Sequence, residues 1–179
     1  LRARPGDVQA VFLATGRKRD AELDKQLTRH RLKPVPRTTA ELDQLTAGAN
    51  HQGVVLVLGN FRYADLETVL EADPGDGPVV VLDQVQDPHN LGAVIRSAYV
   101  LGAAGVVIPE RRACAVTATV VRTSAGATEH LPVAQVVNLG RALAALKEAG
   151  YWLHAASGDD GHPPEACDLT GRVALVLGS

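Results

Sequence analysis

The stretch at 83–98 constrains this chain more than any other, because it joins an apolar strand to a helix. The residues before it, 79–82, read Val-Val-Val-Leu, a short uncharged run that predicts a strand covered on both faces. Asp87-Pro88 then predicts a turn, since the residue before a proline is kept out of the α region. In open α/β sheets, the edge where such strands end is where ligands bind. The polar residues of 83–98 are therefore the first candidates for a site.

The helix that follows is predicted to present two polar side chains. We expect Asn90 to cap it. The apolar stripe that we expect to face the sheet consists of Leu91, Val94, Ile95, Ala98 and Leu101. Arg96 falls opposite that stripe and is six residues from Asn90, roughly 9 Å along a helix axis at about 1.5 Å per residue. One extended polar substrate could contact both, although an ordinary capped helix with a solvated arginine gives the same pattern.

Strands and helices alternate through the second half of the chain, which predicts a mostly parallel sheet with helices on both faces. The expected elements are a strand at 106–108, a helix near 115–124, a strand near 131–133, a helix at 139–149, a strand at 151–155 and a final strand from Val173. Asn138 is expected to cap the helix at 139–149, and Gly150 to end it. The sequence contains no GxGxxG, so no standard dinucleotide fingerprint is indicated.

The first half of the chain predicts a smaller α/β domain. Its expected elements are a strand at 8–14, helices near 21–31 and 39–45, and an apolar strand at 54–58. Thr38 or Thr39 can cap the second of these helices. Residues 71–78 are charged and rich in proline and glycine, as linkers are. The predicted fold class is therefore α/β, with a domain at 1–70, a linker at 71–78 and a domain at 79–179.

Charge is unevenly distributed along a chain whose formal net charge is −2. Residues 1–50 contain ten lysines and arginines against six acids, a net of +4, and residues 51–77 contain one arginine against five acids, a net of −4. The basic end favours RNA only slightly, because a charged surface helix gives the same count. Within it, Arg17, Lys18 and Arg19 follow a predicted strand and are candidates for phosphate contact, with a solvated turn as the alternative.

Cysteine and histidine patterns do not indicate a metal enzyme. Cys114 and Cys167 are isolated, and the six histidines include no His-x3-His pair. We therefore expect reduced thiols, a cytoplasmic protein and no metal. No apolar run approaches the roughly 20 residues that a membrane span needs, and no signal peptide is visible, so we expect no membrane partner.

The string at 83–98, D-Q-V-Q-D-P-H-N-L-G-A-V-I-R-S-A, resembles the first signature motif of the SpoU (TrmH) family of RNA ribose 2′-O-methyltransferases, within the SPOUT superfamily. Residues 122–133 resemble the family's segment between its motifs. The small residues at 124–127 would allow either close approach of a ligand or a helix packed tightly on the sheet. Residues 173–179 resemble the opening of the second motif. The first half, including His51-Gln52-Gly53-Val54, more loosely resembles the ribosomal-protein-like substrate-recognition domain of many members.

This resemblance implies transfer of a methyl group from S-adenosylmethionine to a ribose 2′-hydroxyl of structured RNA. A guanosine of large-subunit ribosomal RNA is the expected substrate, and tRNA is the alternative. The resemblance also implies a homodimer and a deep trefoil knot at the C-terminal end of the full-length protein. The second motif stops early, the third is missing, and the chain begins in mid-element at residues 1–5. We therefore expect a chain truncated at both ends, whose knot and active site need not be complete.

The resemblance also implies residue roles. Asn90 and Arg96 are the catalytic residues of the first motif. A guanidinium, with a pKa above about 12, is a poor proton acceptor, so we expect Arg96 to hold an RNA phosphate and stabilise the developing alkoxide. Asn90 would position Arg96 or the ribose. Gly178 is the expected contact to the methyl donor, and Ser157 is a second candidate, for which an ordinary loop serine is the alternative.

Three functions from different classes remain open on the sequence. The first is an active RNA 2′-O-methyltransferase, and the second is an RNA-binding module that keeps the fold without the cofactor site. The third is an unrelated nucleotide-binding α/β protein. The effect of Arg96→Ala on methylation distinguishes the first two, and affinity for S-adenosylmethionine tests the third.

Overall fold

Two units make up the chain, one over residues 1–60 and one over residues 61–179. The computed structural model describes residues 4–18, 20–71, 77–158 and 161–178. Within these ranges each unit has its own sheet, of three strands in the first unit and five in the second. The α/β class predicted from the sequence is confirmed.

The first unit is organised around β1 (Val8–Ala14), the central strand of its sheet. β1 pairs in parallel with β2 (Val35–Arg37) and antiparallel with β3 (Val54–Leu58). Helix α1 (Ala21–Arg29) leads from β1 to β2, and helix α2 (Thr39–Leu45) leads from β2 to β3. β2 is absent from the prediction because it has only three residues. The proline at its centre suits such an edge strand, where one backbone donor can be missing.

Thr38, and not Thr39, caps α2. The Thr38 hydroxyl accepts a hydrogen bond from the Glu41 backbone N–H at 3.3 Å, and the Glu41 carboxylate accepts one from the Thr38 backbone N–H at 2.7 Å. This reciprocal arrangement is a capping box. Two hydrogen bonds lower the pKa of the Glu41 carboxyl. The larger effect comes from the bond donated by the Thr38 backbone N–H, and the smaller one from the bond donated by the Thr38 hydroxyl.

The second unit contains a five-stranded parallel sheet. Its strands are β4 (Val79–Leu82), β5 (Gly105–Pro109), β6 (Val133–Val136), β7 (Trp152–Ala155) and β8 (Val173–Leu177). Their spatial order is β6-β5-β4-β8-β7, and every neighbouring pair is parallel. The parallel sheet predicted from the alternation of elements is confirmed.

Helices cover both faces of this sheet. The helices are α3 (Leu66–Leu70), α4 (Pro88–Val100), α5 (Ala118–Thr123) and α6 (Leu139–Glu148). Because side chains alternate along a strand, Val80 and Leu82 of β4 pack with α4 and α5, whereas Val79 and Val81 pack with α3 and α6. β4 is therefore buried along its whole length, as its uncharged sequence predicts.

Helix α4 begins at Pro88, which corrects the predicted cap at Asn90. Asp87 has an extended backbone, and its carboxylate accepts a hydrogen bond from the His89 backbone N–H at 2.8 Å. Pro88 suits the first helical position because no N–H is needed there. Asn90 therefore lies inside the first turn of the helix, where it is exposed.

The buried stripe of α4 also differs in part from the prediction. Leu91, Ile95 and Ala98 are buried as predicted, but Leu101 is 81% exposed. The reason is that the helix ends at Val100, so its periodicity does not extend to the next residue. Gly92 is buried instead.

Asn138 and Gly150 bound helix α6 as predicted. The Asn138 side-chain oxygen accepts a hydrogen bond from the Arg141 backbone N–H at 3.0 Å. Gly150 has a φ of +87°, the left-handed conformation that commonly follows a helix.

The boundary between the units differs from the predicted one. The chain divides after residue 60, ahead of the linker expected at 71–78. Most of that linker, residues 72–76, lies outside the described residues. The composition of 71–78 is typical of a linker. The segment 61–70 before it nevertheless belongs to the second unit, because it packs there.

Side-chain contacts attach the segment 61–70 to the second unit. The Tyr63 hydroxyl accepts a hydrogen bond from the Val116 backbone N–H at 2.9 Å. Val69 is fully buried, and its carbonyl oxygen accepts a hydrogen bond from the Tyr151 hydroxyl at 3.3 Å. These partners are more than 50 residues away in the chain, so local sequence could not indicate them.

Among the helices that the structure describes, none is both long enough and apolar enough to span a bilayer. Nor do the described histidines, cysteines and acids form a group of three or more that could hold a metal ion.

Candidate active site

The second unit has a topological switch point beside β4. From this strand the chain adds β5 and β6 on one side of the sheet, and it then crosses to the other side to add β7 and β8. Because the strands are parallel, their carboxyl ends share one edge. The crevice outside the carboxyl ends at such a switch point is where open α/β sheets bind ligands.

A groove of about 540 Å³ opens at this edge, where β4 and β8 end and α4 begins. Its volume is within the range of about 300–1,000 Å³ that is usual for small-molecule sites. Its residues are Leu82, Gln84, Val85, Gln86, Asp87, Asn90, Val94, Leu177 and Gly178. Apolar side chains with a few polar groups are the usual lining of a site for an organic ligand.

The loop after β4 is held by backbone hydrogen bonds. The Asp83 N–H donates to the Leu177 carbonyl oxygen at 2.8 Å and extends the contact between β4 and β8. Gln84 has a left-handed φ of +57°, which is uncommon for a residue with a side chain. Backbone strain of this kind is concentrated at ligand sites. Gln84 is among the polar residues of 83–98 that the sequence offers as candidates, but nothing in the sequence indicated its φ or gave it an individual role.

The groove brings together two of the predicted site residues. Asn90 comes from the first turn of α4, and Gly178 follows the end of β8. They are 88 positions apart in the sequence, and the parallel pairing of β4 with β8 places them at one edge. Asp87, which also contributes to the groove, is engaged as the cap of α4.

Gly92 allows helix α5 to approach α4 closely. A Cβ at this position would lie 2.7 Å from the Thr123 Cβ and 3.0 Å from the Val120 carbonyl oxygen. Beside this contact, the Thr123 hydroxyl oxygen lies 3.5 Å from Nδ1 of His89. The glycine of the first motif thus has a packing role, which the motif alone did not indicate.

The small residues at 124–127 serve close packing. Ser124 is only 1% exposed, and its hydroxyl donates to the Val121 carbonyl oxygen at 2.9 Å. Ala127 belongs to the same core cluster as Leu91 and Ile95 of α4. Of the two expectations for this segment, helix packing is therefore the one the structure supports, with α4 rather than the sheet as the main partner.

Arg96 is exposed on α4, as predicted. It contributes to a second groove, of about 490 Å³, with Ala93, Ser97, Val100, Leu101 and Thr123. No ion pair joins Arg96 to any acid within the described ranges. The structure therefore places Asn90 and Arg96 on one helix but in neighbouring grooves.

Ser157 follows β7 at the same edge of the sheet. The chain stays beside β8 up to this point, since the Ala156 N–H donates to the Val176 carbonyl oxygen at 2.9 Å. Ser157 is exposed and contributes to neither groove. It is close to the site in topology but is not brought into it.

The candidate phosphate contacts of the first unit follow β1. A guanidinium nitrogen of Arg17 lies 3.7 Å from a carboxylate oxygen of Asp20. The side chain of Arg17 packs at Gly53, where a Cβ would lie 3.1 Å from the Arg17 Cδ. Lys18 is exposed, and Arg19 lies outside the described residues.

Cys114 lies near the loop that follows β4, where its backbone N–H donates to the Val85 carbonyl oxygen at 2.9 Å. Burial raises the pKa of the Cys114 thiol, and the negative charge of Asp87 raises it further. The thiolate is the nucleophilic form of cysteine. A thiol that is held protonated is therefore a poor candidate for covalent chemistry.

Two family models match the chain. Residues 77–179 match the model described as the SpoU rRNA Methylase family, and residues 1–64 match the model described as RNA 2′-O ribose methyltransferase substrate binding. The first model covers more than half of the chain and includes Asn90, Arg96 and Gly178.

Curated relatives and solved structures agree with these models. The chain is 40% identical to the 23S rRNA (guanosine-2′-O-)-methyltransferase RlmB of Xanthomonas campestris, over 96% of this chain and 71% of the relative. It is 42% identical to a tRNA/rRNA methyltransferase of Synechocystis, over 77% of this chain and 37% of the relative. It also covers 58% of the length of an RlmB relative from Xylella fastidiosa. The chain therefore spans about half the length of several relatives that it matches. The SpoU methyltransferase AviRb from Streptomyces viridochromogenes, solved with AdoMet, has a TM-score of 0.76 at 22% identity, over 99% of this chain and 71% of that chain. This structural likeness shows the fold.

Proposed function

The chain belongs to the SpoU rRNA methylase family, and from that membership we propose that the whole protein transfers a methyl group from S-adenosylmethionine to a ribose 2′-hydroxyl of ribosomal RNA. The observation that carries the proposal is the groove at the switch point. It joins Asn90 of the first motif to Gly178 of the second, at the edge where a sheet of this topology binds ligands.

The groove has the chemistry that S-adenosylmethionine needs. The partly exposed side chains of Val94 and Leu177 would supply apolar surface for an adenine ring, and the amides of Gln84 and Asn90 could bond polar groups of the cofactor. Among the described residues, no atom outside the adjacent chain lies within 4 Å of the position of a Cβ at Gly178. When bound, S-adenosylmethionine supplies a methyl group on a sulfonium, which is a strong electrophile. The solved AviRb complex contains the same cofactor on a similar fold.

Arg96 and Asn90 act on the RNA in this proposal. A guanidinium keeps its proton at any pH that a protein tolerates, so Arg96 does not accept the proton of the 2′-hydroxyl. It binds an RNA phosphate and stabilises the negative charge that develops on the 2′-oxygen. Its exposure and the lack of an ion pair with a described acid leave it available for that contact. An RNA phosphate or another group then takes the proton, and Asn90 positions Arg96 or the ribose.

The proposed target is a guanosine of 23S ribosomal RNA. The support is the RlmB relatives, which are named for that reaction and are about 40% identical to this chain. A tRNA target is the alternative, because the Synechocystis relative is named for both RNA classes. Arg17, Lys18 and Arg19 are the proposed phosphate contacts in the substrate-binding unit. A cytoplasmic homodimer, with a trefoil knot in the full-length protein, completes the proposal.

Substitution of Arg96 tests the proposed mechanism. In the whole protein, Arg96→Ala should lower the rate of RNA methylation by about 100- to 1,000-fold, the effect of removing one donor to a developing oxyanion. RNA affinity should change much less, because a phosphate contact is one of several. Arg141→Ala is the matched control, since Arg141 is an exposed arginine on helix α6. An unchanged methylation rate for Arg96→Ala would remove Arg96 from the mechanism.

The second candidate function is an RNA-binding module without methyl transfer. The match of residues 1–64 to a substrate-binding model is compatible with it, because RNA binding by this unit does not itself require methyl transfer. Calorimetry of the whole protein with S-adenosylmethionine separates the two. The methyltransferase requires saturable binding that Gly178→Leu weakens, whereas the binding module requires RNA affinity without affinity for the cofactor.

A further inference from the structure

Four exposed cations around the end of helix α1 have no acidic partner in the part of the chain that the structure describes. They are Lys25, Arg29, Arg31 and Lys33, and we call them the α1 basic surface. No aspartate or glutamate occurs between residues 25 and 40. Across the described ranges, no ion pair reaches any of the four. By contrast, Arg17 and Arg37 pair with Asp20 and Glu41.

The backbone holds these cations on a short, defined turn. Lys25 and Arg29 are one helical turn apart on α1, about 6 Å along its axis. The chain then reverses, because the Arg31 N–H donates to the Thr28 carbonyl oxygen at 3.1 Å and the Leu32 N–H donates to the Leu27 carbonyl oxygen at 2.9 Å. This is the Schellman pattern of a helix end, and Lys33 follows directly after it.

Arg31 occupies a position of this turn that normally belongs to glycine. Its φ is +55°, in the left-handed region, which is unfavourable for a residue with a Cβ. The helix dipole favours a cation in the last turn and so accounts for Arg29. It does not account for a cation at a strained position beyond the helix. Strained residues are concentrated at ligand sites, so the exposed charge of Arg31 is a candidate for contact with a ligand.

We propose that the α1 basic surface binds backbone phosphates of the RNA substrate, as a contact separate from the turn that contains Arg17 and Lys18. The proposal rests on the proposed function for the identity of the partner. Phosphate oxygens are the ligands that separate lysine and arginine side chains suit. Residues 25–37 contain no phenylalanine, tyrosine or tryptophan on which a base could stack. The contact would therefore position the RNA without reading its sequence.

An anionic membrane is the weaker partner for this surface. Helices that lie on a bilayer insert an apolar face beside their cations. Leu27, the large apolar residue of α1 next to these cations, is 4% exposed and is buried in the first unit. The charges are thus available to a polyanion, but the apolar face is not available to lipid.

The test measures how RNA affinity depends on salt. Binding of purified 23S ribosomal RNA is titrated at several salt concentrations with the whole protein and with the double variant Lys25→Gln/Arg29→Gln. Each phosphate contact contributes about 0.7 to 0.9 to the slope of log K against log salt, so the variant should lose about 1.5 from that slope. The matched control is Arg141→Gln/Lys147→Gln, two exposed cations on α6 whose loss should change the slope little. An unchanged slope for the first variant, or equal losses for both, overturns the proposal.

Arg31→Gly is a second variant, in which stability and binding should change in opposite directions. Glycine relieves the strain at φ +55°, so the melting temperature should rise, while RNA affinity should fall because a cation is lost. Unchanged affinity contradicts the proposal even if stability rises. Vesicles of phosphatidylglycerol form a parallel arm, and a loss of vesicle binding without a loss of RNA binding also contradicts it. Methylation is measured in a separate assay. If RNA binding depends on these cations but no methyl group is transferred, the proposed function is refuted and the proposed RNA contact is not.

Discussion

Gly92 sets the distance between α4 and α5, and with it the position of the helix that contains Asn90 and Arg96. Because a Cβ would lie 2.7 Å from the Thr123 Cβ, Gly92→Ala must push the two helices apart. Overpacking of this kind costs about 1–3 kcal/mol, more than the gain of up to about 1 kcal/mol from alanine in a helix. We expect urea denaturation to show a lower free energy of unfolding for Gly92→Ala.

Gly6→Ala is the control. Among the described residues, nothing lies within 4 Å of the position of a Cβ at Gly6, so we expect little change or a small gain in stability. If Gly92→Ala were as stable as the unchanged protein, the close contact between α4 and α5 would not be a constraint.

Single residues near the site were only partly predictable. The start of α4 could have been predicted from the sequence, because proline is favoured at the first helical position and the aspartate before it, Asp87, is a good N-cap. Choosing Asn90 as the cap gave the right helix with a start three residues too late. Gln84 gave no local signal, because its φ of +57° follows from the path of the chain between β4 and α4.

At the scale of elements, the capping box of α2 makes stability depend on pH. The pKa of Glu41 is lowered in the folded protein by its hydrogen bonds to Thr38. Its contribution is therefore present above the unfolded pKa of about 4.3, and it is lost as the pH falls through the folded pKa. Glu41→Ala should reduce the free energy of unfolding at pH 7, and the difference from the unchanged protein should shrink toward pH 3.

Denaturation at both pH values checks this prediction. Glu148→Ala, which removes an exposed acid in the last turn of α6 and leaves the capping box of α2 intact, is the control. If Glu41→Ala lowered the free energy of unfolding by the same amount at pH 7 and at pH 3, the ionised carboxylate of Glu41 would not stabilise the protein through the capping box.

Strands that consist of an apolar run were predicted correctly, whereas β2 and α3 were not predicted. β1, β3 and β4 have the predicted bounds, because each is an apolar run, interrupted only at Gln9 of β1. β2 and α3 have three and five residues, which is too few for a period to be visible. α3 is stabilised instead by burial of Val69 against distant elements.

At the scale of the whole molecule, the alternation of strands and helices predicted the parallel sheet but not its strand order. The order places β8 beside β4, and this pairing brings Gly178 to the groove that contains Asn90. No local pattern gives that neighbourhood; only the resemblance to a family linked the two residues before the structure did. The boundary between the units also lies ahead of the linker expected from composition. The reason is that residues 61–70 belong to the second unit through contacts with residues far away in the sequence.

The central claim is that the whole protein methylates a ribose 2′-hydroxyl of ribosomal RNA. The most direct measurement maps 2′-O-methyl groups in ribosomal RNA from cells with and without the gene, and from cells in which the gene carries Arg96→Ala. We predict that one guanosine of 23S ribosomal RNA loses its methyl group without the gene, that the unchanged gene restores it, and that Arg96→Ala does not. Identical ribosomal RNA maps with and without the gene would contradict the account.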